Sequence, residues 1–518
     1  MQRCEYNNCN HQVENGQHLC LFHSNTKSKR GDEFLVEFLK HFSTDKNCRG
    51  FIFLDSYNIS FNNDEIIGII DFTGAVFHHQ FTIRELRLKG QIILNNITAL
   101  TGVSITHINL AGYYVPRSPP THGAIYIHQS KLAAFVLWHA EFDANASIHA
   151  SGSKFENRLD FKYIKGGSII GLQFSSFSNL DYEQNETVRL FCHECTFNQK
   201  ITFKKLISSI EINGGDFRGT TRMEIDSVQA GGVTFKNAEF PSTAHILVSN
   251  IEVGHIEFLH VIFPAYKTKF ENIRNANDGL LVDFKYSNLN KVIFDNSNIL
   301  NIGLYKSEFR DSIFLNNDWG KGKSKYKLRE HVHIGNNQVP SKQIEEMYSQ
   351  LRSSFDQMKK HKEAGEFYFH ENELARRRLL KEGEYLKSII YLINRVFLGY
   401  NQRISHSLFW FFFALIAYTT YSLALGLSIE SNVINLTSLI EYANSGQLSL
   451  LISSLTSAFV FSLINILPVS WLKETVMNKV HIVDSGIYVI LLSMVYSLFT
   501  IGMLSSFVTG IRRMFKRH

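Results

Sequence analysis

The sequence predicts a multidomain protein in which a β-solenoid is followed by an α-helical connector and an α-helical transmembrane domain. Three observations lead to this fold class. A phrase of small or polar residues followed by phenylalanine returns every 20 to 23 residues through the middle of the chain, a helical pattern follows it, and long uncharged runs come last. At 518 residues the chain is also too long for one ordinary hydrophobic core.

The first domain, residues 1–30, carries a cluster of cysteines and histidines with the pattern C-x4-C-x10-C-x2-H. The potential ligands are Cys4, Cys9, Cys20 and His23. Three thiolates and one imidazole suit structural zinc, and a closed set of four leaves no position for a substrate. We predict a zinc-knuckle-like module. His11 and His18 are alternatives for the fourth ligand, and unliganded cysteines are the alternative to a metal.

The remaining cysteines are interpreted without a metal. The start of the chain lacks the basic and then apolar pattern of a signal peptide, so we expect a cytosolic N-terminus with reduced thiols. Residues 31–50 are predicted to form a short helix and linker. Cys192 and Cys195 have zinc-like spacing but no second pair nearby, so the pattern favours cysteines buried in a strand.

Residues 51–315 predict the β-solenoid. Short alternating runs such as HILVSNI are typical of strands and too brief for helices. From Phe155 onward the recurring phrase ends at intervals of 22, 20, 20, 23 and 23 residues. A repeat of this length built from short strands indicates coils that stack on one another around an inward ladder of apolar side chains. The ladder explains why the chain holds 42 phenylalanines.

The recurring phrases, such as ECTF, GGDF and NAEF, resemble the repeats of pentapeptide-repeat proteins. Those proteins form a right-handed, four-sided β-helix that repeats a small residue, a polar residue and then Phe or Leu every five positions. The resemblance implies a set of central, inward-pointing side chains. They are Phe197, Phe217, Phe240, Phe263 and Phe309. Insertions such as GYYVPRSPPTHG interrupt the coils.

Charge argues against a nucleic-acid partner and against imitation of DNA. The solenoid residues carry 23 basic and 26 acidic side chains, whereas DNA mimicry requires a strongly acidic face. Residues 316–518 carry 23 basic and 15 acidic side chains beside the apolar runs. This excess is typical of a cytoplasmic membrane surface. We therefore expect a lipid bilayer as one partner, and a cytosolic protein or ligand on the solenoid as another.

A basic linker, residues 316–340, precedes the predicted connector, residues 341–400. One apolar stripe recurs at three- and four-residue steps, which is typical of a helix. It comprises Ile344, Met347, Leu351, Phe355 and Met358. Ser341 is the predicted N-cap and Gly383 the predicted stop. A second set has metal-like spacing but lacks a partner helix, so it is interpreted as a solvated charged face. This set is Glu366, His370 and Glu373.

Three phrases resemble a family of bacterial membrane proteins that join pentapeptide-like repeats to a C-terminal channel-like module. They are YSQLRSSFDQMKKHKEAGEFYFHENELARRR, RVFLGYNQRISHSLFWFFFALIAYTTYS and the terminal GIRRMFKRH. Together with the N-terminal cluster, the resemblance covers most of the chain. It implies two spans around a re-entrant helix, as in tetrameric potassium-type pores.

The transmembrane domain, residues 401–518, contains three uncharged runs. We predict spans over residues 407–429 and 485–511, because each exceeds the roughly 20 residues that cross the hydrocarbon as a helix. Basic side chains precede the first span and follow the last, so both flanks should be cytoplasmic and the number of crossings even. The predicted location is the bacterial inner membrane, with both termini in the cytoplasm.

The middle run, residues 446–472, is therefore predicted to be re-entrant, with a full third span or an interfacial helix as alternatives. It is rich in hydroxyl side chains, and backbone that unwinds at membrane depth is tolerated where it lines water. The predicted pore-lining residues are Ser453, Ser457, Ser462, Asn465 and Pro468. No glycine lies between Gly446 and Gly486, so a glycine-based potassium filter is not supported.

Two hypotheses of function follow. Two spans per chain cannot enclose a channel, so we expect a homo-oligomer that conducts ions and is gated by a cytosolic partner or ligand. The alternative is a membrane-anchored β-solenoid scaffold that binds a protein partner and does not conduct. No nucleophile and base occur in a recognisable arrangement, so an enzyme is not expected.

Overall fold

The computed structural model describes most of the chain in two units, Met1–Val339 and Pro340–His518. The residues outside the description are 1–2, 7–8, 14–17, 27–30, 112–122, 145, 167–168, 187, 229–230, 276–278, 322–324, 333–338, 402–403, 430–431, 467–479, 484–485 and 516–518.

The first unit contains a parallel β-solenoid of about 11 turns, as the sequence predicts. Each strand pairs with the strand one coil later, for example Phe155 with Phe177 and Phe177 with Phe197. The strands are β1 (Ile52–Phe53), β2 (Tyr57–Ser60), β3 (Glu65–Asp71), β4 (Val76–Phe77), β5 (Phe81–Ile93), β6 (Thr98–Ala99), β7 (Val103–Ala111), β8 (Ala124–His128), β9 (Lys131–Trp138), β10 (Glu141–Phe142), β11 (Ser147–Ser151), β12 (Lys154–Lys162), β13 (Ile169–Gln173), β14 (Ser176–Glu183), β15 (Arg189–His193), β16 (Thr196–Leu206), β17 (Ile210–Asn213), β18 (Arg222–Val228), β19 (Gly232–Glu239), β20 (His245–Ile251), β21 (His255–Ile262), β22 (Thr268–Ile273), β23 (Val282–Lys285), β24 (Ile293–Asp295), β25 (Ile302–Gly303) and β26 (Ile313–Leu315).

The predicted phenylalanine ladder is confirmed. All five predicted side chains are buried: Phe197, Phe217, Phe240, Phe263 and Phe309. The ring of Phe217 stacks on Phe197 at 4.5 Å between centroids and packs against Phe240 at 4.7 Å. Stacked aromatic rings of successive coils bury a large apolar area, which is the main favourable term in a fold of short strands.

Asparagines occupy one corner of successive coils, where the backbone turns. Asn250, Asn272 and Asn296 have φ of 55°, 54° and 49°, in the left-handed region that asparagine adopts more readily than most residues. Their amides are linked from coil to coil. Asn272 Nδ2 donates to Asn250 Oδ1 at 3.1 Å, and Asn296 Nδ2 donates to Asn272 Oδ1 at 2.6 Å. The hydrogen bonds between these side chains satisfy their amide groups where the backbone turns the corner.

Separate elements cover the two ends of the solenoid. Helix α1 (Gly31–Thr44) packs Phe34 and Phe38 against Phe53 at 5.3 and 5.4 Å between ring centroids. At the other end Trp319 packs on Phe314 at 5.4 Å, and a short helix α2 (Arg329–Val332) follows. Terminal coils have no neighbouring coil on one side, so such caps keep their apolar faces from water.

The connector consists of α3 (Ser341–Gln357), α4 (His361–Lys381) and α5 (Tyr385–Ile393). A π-helical turn, Asn394–Leu398, and a 3₁₀ turn, Gly399–Asn401, follow. The predicted stripe is buried at Ile344, Met347, Leu351 and Phe355, and Met358 is half-buried. Pro340, not Ser341, occupies the N-cap of α3, because the φ near −65° that the proline ring imposes suits the extended residue before the helix.

The interpretation of Glu366, His370 and Glu373 as a solvated face is wrong for Glu373. Its side chain is only 7% exposed and accepts hydrogen bonds from Arg376 and Arg377 of its own helix and from Arg395 of the π-helical turn. His370 stacks on Tyr348 of α3 at 5.5 Å. Desolvation of this buried carboxylate raises its pKa. The three arginines favour the charged form more strongly, so the net pKa of Glu373 is lowered.

Three helices of the second unit are long and apolar enough to cross a membrane: Ser405–Leu425, Leu448–Ile466 and Ile487–Arg512. They belong to α6 (Ile404–Leu425), α8 (Leu448–Ile466) and α9 (Ile487–Phe515), with a short α7 (Leu436–Asn444) before α8. Length and composition alone make them candidates.

A small antiparallel sheet lies where α6 ends. Its strands are β27 (Leu427–Ile429), β28 (Asn432–Ile434) and β29 (Val480–Ile482), and β27 pairs with both others. The predicted span over residues 407–429 is therefore too long by its last residues. Gly426 has a φ of +88°, which ends α6 and turns the chain into β27.

Candidate functional site

The four predicted metal ligands lie together at the start of the first unit. One ligand atom from each of Cys4, Cys9, Cys20 and His23 lies within 4.8 Å of all the others. The sulfurs of Cys9 and Cys20 are 3.7 Å apart, and Cys4 Sγ is 3.5 Å from His23 Nδ1. Zinc–sulfur bonds of about 2.3 Å at tetrahedral angles place two sulfurs about 3.8 Å apart, so the donor set fits such an ion.

Neighbouring groups orient the imidazole of His23. Its Nε2 lies 2.9 Å from the carbonyl oxygen of Arg49, which accepts the ring N–H, so Nδ1, 3.1 Å from Cys20 Sγ, is the ring atom that would bind a metal. The ring of Tyr6 stacks on it at 4.0 Å between centroids. His23 is only 3% exposed. A metal-binding imidazole with a fixed tautomer and a buried ring is the usual arrangement of a structural site.

The two alternative histidines lie outside this group. His18 is exposed and its Nδ1 is 2.7 Å from Glu5 Oε1. His11 packs edge-on against Phe22 at 4.8 Å. Among the described residues the Cys4–His23 group is the one cluster that could hold a metal, so Cys192 and Cys195 contribute to no second one. Both are buried in the solenoid, as expected for strand cysteines.

The thiols of the cluster differ in their acidity. Burial raises the pKa of Cys20 to about 12. Desolvation also raises the pKa of Cys4, but hydrogen bonds from the backbone of Cys20 and Tyr6 outweigh it, so the net pKa of Cys4 is lowered. The backbone N–H of Cys20 donates to Cys4 Sγ at 3.3 Å. Backbone donors of this kind stabilise thiolates in metal-binding knuckles.

The predicted pore-lining residues divide between two faces of α8. Ser462 and Asn465 are buried against the neighbouring helices: Thr419 of α6 donates to Ser462 Oγ at 2.9 Å, and Ser497 of α9 donates to the carbonyl oxygen of Asn465 at 2.7 Å. Ser453 is exposed and Ser457 half-exposed on the outer face. Pro468 lies outside the described residues.

Side chains of α6 and α9 that the sequence did not single out hold this bundle together. Tyr418 of α6 and Tyr496 of α9 stack at 4.0 Å, and Tyr418 Oη lies 2.8 Å from Ser493 Oγ. Tyr496 also donates to the carbonyl oxygen of Ser462 at 3.2 Å. The signal in the sequence was the three- and four-residue spacing of hydroxyl residues along α9, which places them on one helix face. They are Ser493, Ser497 and Thr500.

The fold and these two sites define a class of protein: a β-solenoid with an N-terminal cluster that can hold a metal ion, followed by helices able to cross a membrane. Comparisons of the chain with protein-family models, with curated proteins and with solved structures found no match.

Proposed function

We propose that the protein is an integral membrane protein whose copies assemble into an ion-conducting pore, gated by a cytosolic partner or ligand that binds the solenoid. In this proposal the pore is lined by α8. The observation that supports the proposal is the small antiparallel sheet, in which Val480, after α8, pairs with Ile429, before α8.

The small sheet supports this re-entrant path. The chain leaves α6 into β27, continues through β28 and α7, and then begins α8. Val480, 14 residues after the end of α8 at Ile466, pairs with Ile429 of β27. The sheet therefore joins the chain that precedes α8 to the chain that precedes α9, and α9 runs antiparallel to α6, with Ser407 beside Ser506 and Tyr418 beside Ser493. This path has an even number of crossings, with both termini on the side opposite the sheet.

The depth of Asn465 fits a helix that ends inside the bilayer. Asn465 is bonded to Ser497, which lies ten residues after the start of α9 at Ile487. Ten helical residues rise about 15 Å, which is half of the roughly 30 Å hydrocarbon core. Backbone that leaves a helix at that depth requires protein or water around it.

The outer face of α8 supports an assembly of copies. Ser449, Ser453 and Thr456 form a row of hydroxyl groups that no other described helix of the chain covers. In a ring of copies this row faces the central axis, where hydroxyls line a water-filled path. The proposal places the protein in a bacterial inner membrane, with a pentapeptide-like solenoid and a structural zinc module in the cytoplasm.

Cysteine substitution in α8 tests the pore. All six native cysteines precede residue 196, so the spanning helices carry none. We expect a charged methanethiosulfonate reagent to reduce the current of Ser453→Cys several-fold in planar bilayers containing the purified full chain. Leu455→Cys is the matched control, because Leu455 is 43% exposed on the same helix but points away from the hydroxyl row.

A silent bilayer would contradict the pore. If activity in cells then survives replacement of residues 404–518 by an unrelated two-span anchor, the protein is the membrane-anchored scaffold. An equal reduction of current in both cysteine variants would contradict the proposal that the hydroxyl row faces the central axis. Conduction itself would still be established.

A further inference from the structure

Helix α5 exposes an unusual amount of apolar surface for a connector. Of its nine residues, six apolar side chains are at least 40% exposed. They are Tyr385, Leu386, Ile389, Ile390, Leu392 and Ile393. A contiguous patch of this kind on a helix marks a surface that something else covers.

The opposite side of α5 is polar and packs on α4. Ser388 is buried and its hydroxyl donates to the carbonyl oxygen of Arg376 at 3.3 Å. Lys387 and Asn394 lie on this polar side as well. At 100° per residue, the exposed apolar side chains span an arc of about 160°, a wide stripe of the sort that lies against an apolar medium.

The chain after α5 lies at membrane depth. Trp410 Nε1 donates to the carbonyl oxygen of Val396 at 2.9 Å, and the rings of Phe397 and Trp410 are 4.8 Å apart. Trp410 is five residues into the candidate span Ser405–Leu425, which corresponds to a depth of about 8 Å. The chain that follows α5 is thus held against the first candidate span.

The charge around α5 is positive. Residues 373–395 hold six basic and three acidic side chains, a net charge of +3. Lys387 is 66% exposed, and its Nζ lies 2.6 Å from Glu384 Oε2. Basic side chains beside an apolar helix face favour a surface of anionic headgroups.

We propose that α5 lies in the plane of the membrane, with its apolar stripe at the boundary between headgroups and acyl chains of an anionic bilayer. A second copy of the chain is the competing occupant. The depth of Phe397 and the positive charge favour lipid, because a copy of the same helix would bring an equal positive charge. The inference rests on the proposed membrane insertion of α6 and α9.

Photocrosslinking of the full chain separates these occupants. p-Benzoyl-phenylalanine replaces Ile390 in protein reconstituted into vesicles of phosphatidylethanolamine and phosphatidylglycerol, and mass spectrometry identifies the adducts. Leu386, at 75% exposure, is a second labelling position should the first variant fail to fold. Leu498 of α9, at 73% exposure, reports membrane insertion itself, and Val253 of the solenoid, at 55%, controls for contact with free lipid.

We expect lipid adducts at residues 390, 386 and 498 and none at 253, with a several-fold lower yield at 390 in vesicles of phosphatidylcholine alone. Lipid adducts at 498 but crosslinked dimers or no adduct at 390 and 386 would overturn the placement of α5. Absence of lipid adducts at 498 would overturn membrane insertion and, with it, the proposed function. Equal yields in both kinds of vesicle would overturn the preference for anionic lipid.

Discussion

Glu330 is a buried acid at the C-terminal cap of the solenoid. Its Oε1 accepts the backbone N–H of Leu304 at 2.6 Å, and its Oε2 has no hydrogen-bond partner. Desolvation raises the pKa of its carboxyl to about 7 from an ordinary 4.5. The folded protein therefore holds this proton at a pH at which the unfolded chain has released it.

The stability of this cap depends on pH through the carboxyl of Glu330. Between pH 4.5 and 7 the folded state binds more protons at Glu330 than the unfolded state, so the cap loses stability as pH rises, by a total on the order of 3 kcal/mol. We expect Glu330→Gln, which keeps the acceptor for Leu304, to remove this loss. Hydrogen-exchange protection factors of peptides containing Leu304 in the full chain, measured from pH 5 to 8, check it.

Glu308→Gln is the matched control, since Glu308 is exposed in the same terminal coils. It should leave the decline in protection unchanged. A Glu330→Gln protein that still loses protection over this range would contradict the assignment of the proton.

Residue-scale predictability depended on periodicity. The period predicts an inward apolar ladder, and the resemblance to pentapeptide repeats implies that Phe197 and Phe217 belong to it; both are buried. Glu330 and Glu373 follow no such pattern. Each is buried by partners distant in the sequence, Leu304 and Arg395, and a charged residue in a basic segment is ordinarily solvated.

At the scale of elements, the Cys4–His23 group contacts the chain that enters the solenoid, because His23 Nε2 donates to the carbonyl oxygen of Arg49. We expect the purified full chain to contain about one zinc per molecule, as a four-ligand site binds one ion. His23→Ala should lower the zinc content several-fold by elemental analysis and reduce hydrogen-exchange protection of α1.

His18→Ala provides the control, because His18 is exposed and paired with Glu5. Its zinc content should match that of the parent chain. Equal loss in both variants, or full zinc retention in His23→Ala, would contradict the assigned fourth ligand.

Elements were predicted well where length and period were long, and less well at their ends. The stripe of α3 was predictable from Ile344 to Phe355. The end of α6 was not, since composition stays apolar through Gly426 into β27, and only backbone geometry separates helix from strand there. The metal cluster was predictable as a spacing, but the choice among three histidines required the contact with Arg49.

At the scale of the whole molecule, the proposed path predicts where each terminus lies. Epitope tags at the N-terminus and after His518 should both resist a protease added outside spheroplasts. A tag inserted after Ser445, between α7 and α8, should be cleaved. Cleavage of the C-terminal tag from outside would mean an odd number of crossings and would contradict the re-entrant path of α8.

The caps of the solenoid also bear on assembly. Helix α1 packs on Phe53 of the first coil and Trp319 packs on Phe314 of the last, so the aromatic interior of the solenoid is covered at both ends. Bare aromatic ends would favour stacking of one solenoid on another into fibres, and these covers oppose such head-to-tail growth.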